Sequence, residues 1–270
     1  VRIVNLKPTR RARLILGAAP LIILLLAYLV ASGSRHAINP ADKILPTLPA
    51  MLAAMHALVM VPDTMTGELL FWSDTSASLG RLGLGLAIST LSALLAGLTL
   101  GLVPAARASF GPMVTMVAVI PPIALLPALF IVFGLGEAAK VALIVIGILP
   151  VMLRDITAHV EALPAEQLVK AQTLGASSWH LAIKIALPQA MPRLIQAVRL
   201  ALGPAWVFLI SAEAIAADVG LGYRIFLVRR YLSMDIILPY VAWITLLAVA
   251  MDWGLRRISE RGFAWAHPPR

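Results

Sequence analysis

Residues 166–192 read EQLVKAQTLGASSWHLAIKIALPQAMP, a polar island set between long apolar runs. Within it Ala171, Gly175, Ile185, Leu187 and Pro188 fall in the spacing A-x3-G-x9-I-x-L-P. An ordinary connection between two spans needs no fixed pattern, so this spacing points to a built surface rather than a passive linker. Local chemistry predicts two short helices, over 165–174 and 177–184, with Gly175 supplying the unusual backbone between them and Ala176 leading into the second. Ser177 or Ser178 is placed to cap that second helix. Pro188 is expected to stop the segment before the next span. The exposed side is expected to carry Leu174, Trp179 and Leu181, a compact apolar knob for a partner.

The composition around this island defines its solvent. Of 270 residues, 60% are hydrophobic and only 13% charged, and the mean hydropathy is +0.92. Several runs approach the roughly 20 apolar residues that cross a bilayer as a helix, whereas a β-barrel would show short alternating segments. The backbone of such runs can satisfy itself in lipid only as helix. The reading is an all-α polytopic membrane protein with about six transmembrane helices. Its net charge of +9 invites a nucleic-acid reading, but Lys and Arg collect beside apolar runs, as the positive-inside rule expects. No aromatic–basic platform for single strands occurs, so no nucleic-acid partner is expected and the bilayer takes that place.

Along the chain, a basic tail over 1–13, with Arg2, Lys7, Arg10, Arg11 and Arg13, precedes an uncharged run over 14–31. That run is longer than the usual ~7–15 residues of a signal-peptide core, so it reads as a retained first span. Residues 32–78, punctuated by Pro40, Pro46, Pro49 and Pro62, read as an external segment with amphipathic pieces near 50–60 and 65–72. The core membrane region follows over 79–255. Its spans are expected at 79–103, rich in Gly80, Gly83, Gly85, Gly97 and Gly101, then at 112–133, 138–153, 194–217 and 236–255. Small residues at such spacings let helices approach closely in lipid. Pro104 to Ser109 reads as a short loop, the polar island occupies about 156–192, and 256–270 forms a second basic tail. With both ends in the cytoplasm, fifteen of the 22 Lys and Arg fall on inner segments, which puts the island on the cytoplasmic side.

Candidate chemistry is sparse. No Gly-Lys pair occurs, so the chain has no phosphate-binding loop of its own; any pumping by it would have to draw energy from a separate ATPase or an ion gradient. The absence of cysteine removes thiol catalysis and thiolate metal sites. His36, His56, His159, His180 and His267 show no pair at ligand spacing on one helix, so no metal, cofactor or catalytic residue is assigned. Pro121, Pro122 and Pro127 interrupt one span, and broken helices either line substrate paths or pack as kinks. Arg199, Glu213 and Asp252 are ionisable groups within spans, functional candidates by default. Glu213 reads as an outer-end residue reaching the headgroups, as lining a path, or as a structural or gating ion pair; the ion pair fits better than a path, where a bare carboxylate would repel any anion.

The spacing at 171–188 resembles the coupling loop of ABC importer permeases, E-A-A-x3-G-x9-I-x-L-P, with Val169 and Lys170 where that pattern has its first Glu and Ala. Further likeness to the nitrate/sulfonate/bicarbonate (taurine-type) branch is carried by IPPIALLPALFIVFGLGEAAK at 120–140, AEAIAADVGLGYRI at 212–225, WGLRRISERGFAW at 253–265, and Ser76 to Arg81. The resemblance implies a type I ABC importer permease fold in the bacterial inner membrane. It implies a homodimer of permeases, two cytoplasmic ATPases that bind ATP and Mg, and an extracytoplasmic solute-binding protein. The implied cargo is a small oxyanion or organic anion (nitrate, bicarbonate, a sulfonate or a phosphonate), and the implied docking surface is Ala171, Leu174, Gly175, Ala176, Trp179, Leu181, Ile185, Leu187 and Pro188. Alternatives are a permease of the same family for an uncharged or cationic nutrient, a gradient-driven secondary transporter, or a structural membrane subunit. Gly175→Asp, or a charged residue at Leu181, is expected to leave membrane insertion intact while abolishing ATP-dependent uptake, measured as solute import by cells.

Overall fold

The computed structural model describes residues 9–40, 42–64 and 67–266. Arg2 and Lys7 of the basic tail, and His267 and Arg270 at the other end, lie outside the described residues. Among those described, the chain is helical throughout: α1 (Arg10–Ile38), α2 (Leu48–Met60), α3 (Leu70–Leu102), α4 (Pro104–Val117), α5 (Leu126–Phe133), α6 (Glu137–Glu161), α7 (Ala165–Thr173), α8 (Ser178–His180), α9 (Leu187–Ala216), α10 (Leu221–Val228) and α11 (Met234–Gly262). Among the described residues, five helices are long and apolar enough to cross a membrane, and a sixth span is formed if the bent pair Pro104–Val117 and Pro122–Phe133 counts as one.

The expected elements recur with moved boundaries, and each shift has a local cause. The stretch read as a loop, Pro104 to Ser109, is the first turn and a half of α4, because Pro104 sits at the start of the helix, where its missing N–H costs nothing and its fixed φ suits the turn. The span read over 112–133 is two pieces set at 85°. Pro121 ends that break and Pro122 opens the second piece; neither nitrogen can donate, and the residue before each is pushed out of the helical region. The amphipathic piece near 50–60 is α2. That read over 65–72 lies partly outside the described residues and otherwise opens α3, which starts nine residues before the span read at 79.

The core is the packing of α3, α6, α9 and α11. On α3 a column of small residues recurs every fourth position: Gly85, Ser89, Ala93, Gly97 and Gly101. A Cβ built on Gly85, Gly97 or Gly101 would lie 2.7, 2.7 or 2.5 Å from Ile144, Ile156 or Val160 of α6. These three pairs share one residue offset, so α3 and α6 run parallel and in register. Apolar side chains gain little by leaving lipid, so the close approach holds the pair through dispersion contacts. Gly80 and Gly83 have open space where a side chain would stand and take no part in the seam.

By contrast, α1 is exposed along its apolar length. It is tied down near its C-terminal end, where Tyr28 Oη donates to the Pro46 carbonyl, Ser32 Oγ donates to that of Leu45, and Arg35 pairs with Asp42. The hydrogen bond from Arg35 lowers the Asp42 carboxyl to about 2. Gly97→Leu is expected to destabilise the bundle by about 1–3 kcal/mol, the usual cost of overpacking a tight core, while Gly83→Ala stays near wild type. Thermal unfolding of the two proteins in detergent measures the contrast.

Candidate functional site

The polar island folds as two short turns around a glycine. α7 ends in a Schellman motif: Ala176 N–H donates to the Ala171 carbonyl at 3.0 Å and Gly175 N–H to that of Gln172 at 2.9 Å. The motif needs a left-handed residue after the helix, and Gly175 has φ +85°. The A-x3-G part of the spacing is therefore the hydrogen-bonded end of a helix, with Ala171 and Ala176 half-buried against it. Ser177 caps the next turn, accepting from His180 N–H.

From there the chain does not break. α8 passes through a π-helical turn, Leu181–Ala186, directly into α9, forming one helix over Ser178–Ala216. Pro188 was expected to end the segment, but it stands in the first turn of α9, where its missing N–H falls just after the π turn. The wider ring closes with Leu187 N–H on the Ala182 carbonyl.

The expected knob is present with one correction. Leu174 is 81% exposed and Trp179 73%, but Leu181 is only 8% exposed. Trp179 and Leu181 are two positions apart on a helix, so they point to opposite sides; with Trp179 outward, Leu181 packs inward. Ile185 and Leu187 are half-buried and Pro188 is exposed. A charge at Leu181 therefore disturbs folding, and Leu174 and Trp179 are the positions that address the surface itself.

At the opposite end of the bundle, six charged side chains meet. Glu213, near the end of α9, is fully buried and accepts from Ser78 Oγ at 2.8 and 2.9 Å, Arg81 Nη1 at 2.7 Å and the Gly222 N–H at 2.8 Å. Arg81 spends its remaining donors on Glu137 and the Val219 carbonyl, and Lys140 also reaches Glu137. Next to this, buried Asp74 receives Arg224, Tyr240 Oη and the Gly220 N–H. Asp74, Glu137 and Glu213 balance Arg81, Lys140 and Arg224, so the cluster is neutral. Gly220, with φ +139°, lets the 217–221 turn lie against it; a Cβ there would come within 2.6 Å of the Glu213 carboxylate.

Of the intramembrane charges singled out in the sequence, Glu213 is thus in an ion pair and lines no open path in this conformation. Arg199 and Asp252 pair with each other, at 2.8 and 3.0 Å. Pro121 and Pro127 are exposed and Pro122 half-buried at the bend between α4 and α5, apart from the ion cluster. Asp74, Ser78, Arg81, Glu137, Lys140, Arg224 and Tyr240 are the cluster members that sequence reasoning did not single out as a site. The available signal was the spacing of Asp74, Ser78 and Arg81 at i, i+4 and i+7, one face of a helix. Among the described residues no group of His, Cys, Asp and Glu could hold a metal ion.

Comparison with known proteins adds the following. Residues 89–261 match the family described as binding-protein-dependent transport system inner membrane component. The taurine transport system permease protein TauC of Escherichia coli (strain K12) is 33% identical over 194 residues, 72% of this chain and 70% of that one. The bicarbonate transport system permease protein CmpB of Synechocystis is 26% identical, covering 75% and 74%. A chain of the MetNI methionine ABC transporter in an inward-facing conformation superposes with a TM-score of 0.63 at 18% identity, covering 74% of this chain and 99% of that one, a likeness of fold.

Removing one partner of a buried ion pair costs about 3–5 kcal/mol, because an uncompensated charge is left inside the protein. Glu137 meets buried Arg81 and Lys140 but is itself 62% exposed, so water can take the place of its carboxylate, as it cannot at Glu213. Glu213→Gln is therefore expected to lower the unfolding temperature in detergent clearly more than Glu137→Gln does; equal shifts in a thermal melt would contradict the assignment of Glu213 as the buried anchor.

Proposed function

The chain belongs to the binding-protein-dependent transport system inner membrane component family, the permease subunits of ABC importers, and from that premise we propose that it carries a small oxyanion such as a sulfonate or bicarbonate. It is a membrane transport subunit without chemistry of its own, and the family implies an ATPase and a binding protein as partners. The cargo class is supported by relatives named for taurine, aliphatic sulfonates and bicarbonate. In the importer, two copies of this chain pair in the membrane with two cytoplasmic ATPases, and both chain ends face the cytoplasm. ATP and Mg act on the partner.

The observation that carries this reading is the exposed Leu174–Trp179 knob on a Schellman-ended turn. Apolar groups of this size are anchors when a partner's groove covers them. The knob sits at one end of a helix whose other end enters the ion cluster, so force applied to it reaches the far side of the bundle without passing through a loop. Closure of the ATPase pair on ATP draws the two knobs together and swings the bundles between outward and inward access. Ala171, Gly175 and Ala176 shape the knob, and Ile185, Leu187 and Pro188 join it to α9.

Affinity purification of the tagged permease in mild detergent is expected to recover an ATPase at one copy per chain. Leu174→Asp and Trp179→Ala are each expected to reduce that recovery and to lower ATP-dependent uptake about tenfold or more, the usual consequence of losing a hot-spot side chain. The amount of folded permease stays unchanged. Uptake that persists without ATP and follows an ion gradient would overturn the reading in favour of a secondary carrier. Uptake of radiolabelled taurine or bicarbonate, with the cognate binding protein added, separates the cargo classes.

A further inference from the structure

Beside the polar island, where α6, α9 and the end of α11 converge, lies a cavity of about 470 Å³. Its walls include His159, Gln189, Arg193, Gln196, Arg199 and Trp265. Arg193 directs Nε and Nη2 to Asp155, and Arg199 directs the same two nitrogens to Asp252. Each guanidinium is thus clamped along one edge by a carboxylate, with Nη1 left over. Arg193 and Arg199 keep 36% and 29% of their side-chain surface open. Arg81 differs, since all three of its nitrogens are consumed inside the protein.

We propose that this cavity is a binding site for a phosphate- or sulfonate-type oxyanion, held by the Nη1 groups of Arg193 and Arg199 and by the Gln196 amide. Three features support it. The carboxylates fix the guanidinium planes, so little side-chain freedom is lost when an anion arrives. The nearby acidic groups, Asp155, Asp252 and Glu260, are each engaged by an arginine, so they offer an incoming anion less repulsion than bare carboxylates would. The volume lies within the range of sites for small ligands, about 300–1,000 Å³. The cavity is also at one end of the spans, the depth at which phospholipid headgroups lie. A headgroup phosphate and a free oxyanion present the same oxygens to these donors.

The two sources are separated with the full chain, stripped of lipid and held in neutral detergent. One arm measures retention of added phosphatidylglycerol by native mass spectrometry; the other measures the shift in unfolding temperature with inorganic phosphate. Saturable binding of phosphatidylglycerol without a response to phosphate identifies a headgroup site, and a response to phosphate identifies a site for free oxyanions. In either case Arg193→Lys and Arg199→Lys, which keep the charge opposite each carboxylate but lose Nη1, are expected to bind about tenfold more weakly, as for loss of one charge-assisted hydrogen bond. Gln196→Ala leaves both ion pairs intact and is expected to bind several-fold more weakly, which keeps the test decisive if a lysine variant misfolds. Arg256→Lys, outside the cavity, is expected to behave as wild type. Absence of saturable binding of either probe, or wild-type binding by the folded Arg193, Arg199 and Gln196 variants, overturns the proposal.

Discussion

Glu213 has no contact with solvent, and a carboxylate in that position survives only if its charge and lone pairs are met from within the protein. Three donors meet it, and they come from two separate parts of the chain: Ser78, shared between both oxygens, and Arg81 on α3, and the backbone of Gly222 at the start of α10. Arg81 then brings in Glu137 from the start of α6. One buried group therefore sets the relative height of α3, α6 and α9, and places the turn before α10 over them. The adjoining Asp74 extends the same constraint to Arg224 and to Tyr240 of α11.

The glycine column extends that alignment down the bundle. Arg81 and Lys140 stand at the same offset as the pairs Gly85–Ile144, Gly97–Ile156 and Gly101–Val160. The ionic end thus fixes the register that the apolar seam continues. Neither part does the other's work: dispersion contacts between small residues hold helices close but tolerate sliding, whereas directed hydrogen bonds to a buried charge do not. At the far end, Arg107–Glu161 and Arg193–Asp155 join the neighbouring helices again.

How much of this could be read beforehand followed from the range of the interaction. Spans were legible because lipid demands long apolar runs, and the bent span because two adjacent prolines leave backbone groups unpaired. The turn at Gly175 was legible because a helix end is local: every bond of its Schellman motif lies within six residues. The orientation of Leu181 was missed through treating 177–184 as a uniformly exposed helix, although its spacing from Trp179 puts the two on opposite sides. The continuation through Pro188 was missed because a proline in the first turn of a helix looks the same, in sequence, as one that ends a segment. The ion cluster was the least legible part. Asp74 and Arg224 are 150 residues apart, and nothing in either neighbourhood names the other; Asp74 also lay in a stretch read as external, where a lone carboxylate attracts no notice.

The order in which the ion cluster's members occur along the chain bears on how the protein is made. Asp74 and Arg81 leave the ribosome long before Glu213, Arg224 and Tyr240 exist. Only Glu137 and Lys140 arrive in between, and Glu137 pairs with both Lys140 and Arg81. For most of synthesis, then, the start of α3 carries a carboxylate with no counter-charge, a costly group to leave within hydrocarbon. That end of the helix is stable at the membrane surface or beside water until α10 and α11 follow. Insertion is thereby separated from closure: the apolar seam of α3 with α6 can form early, and the charged end is sealed only when the last helix is in place.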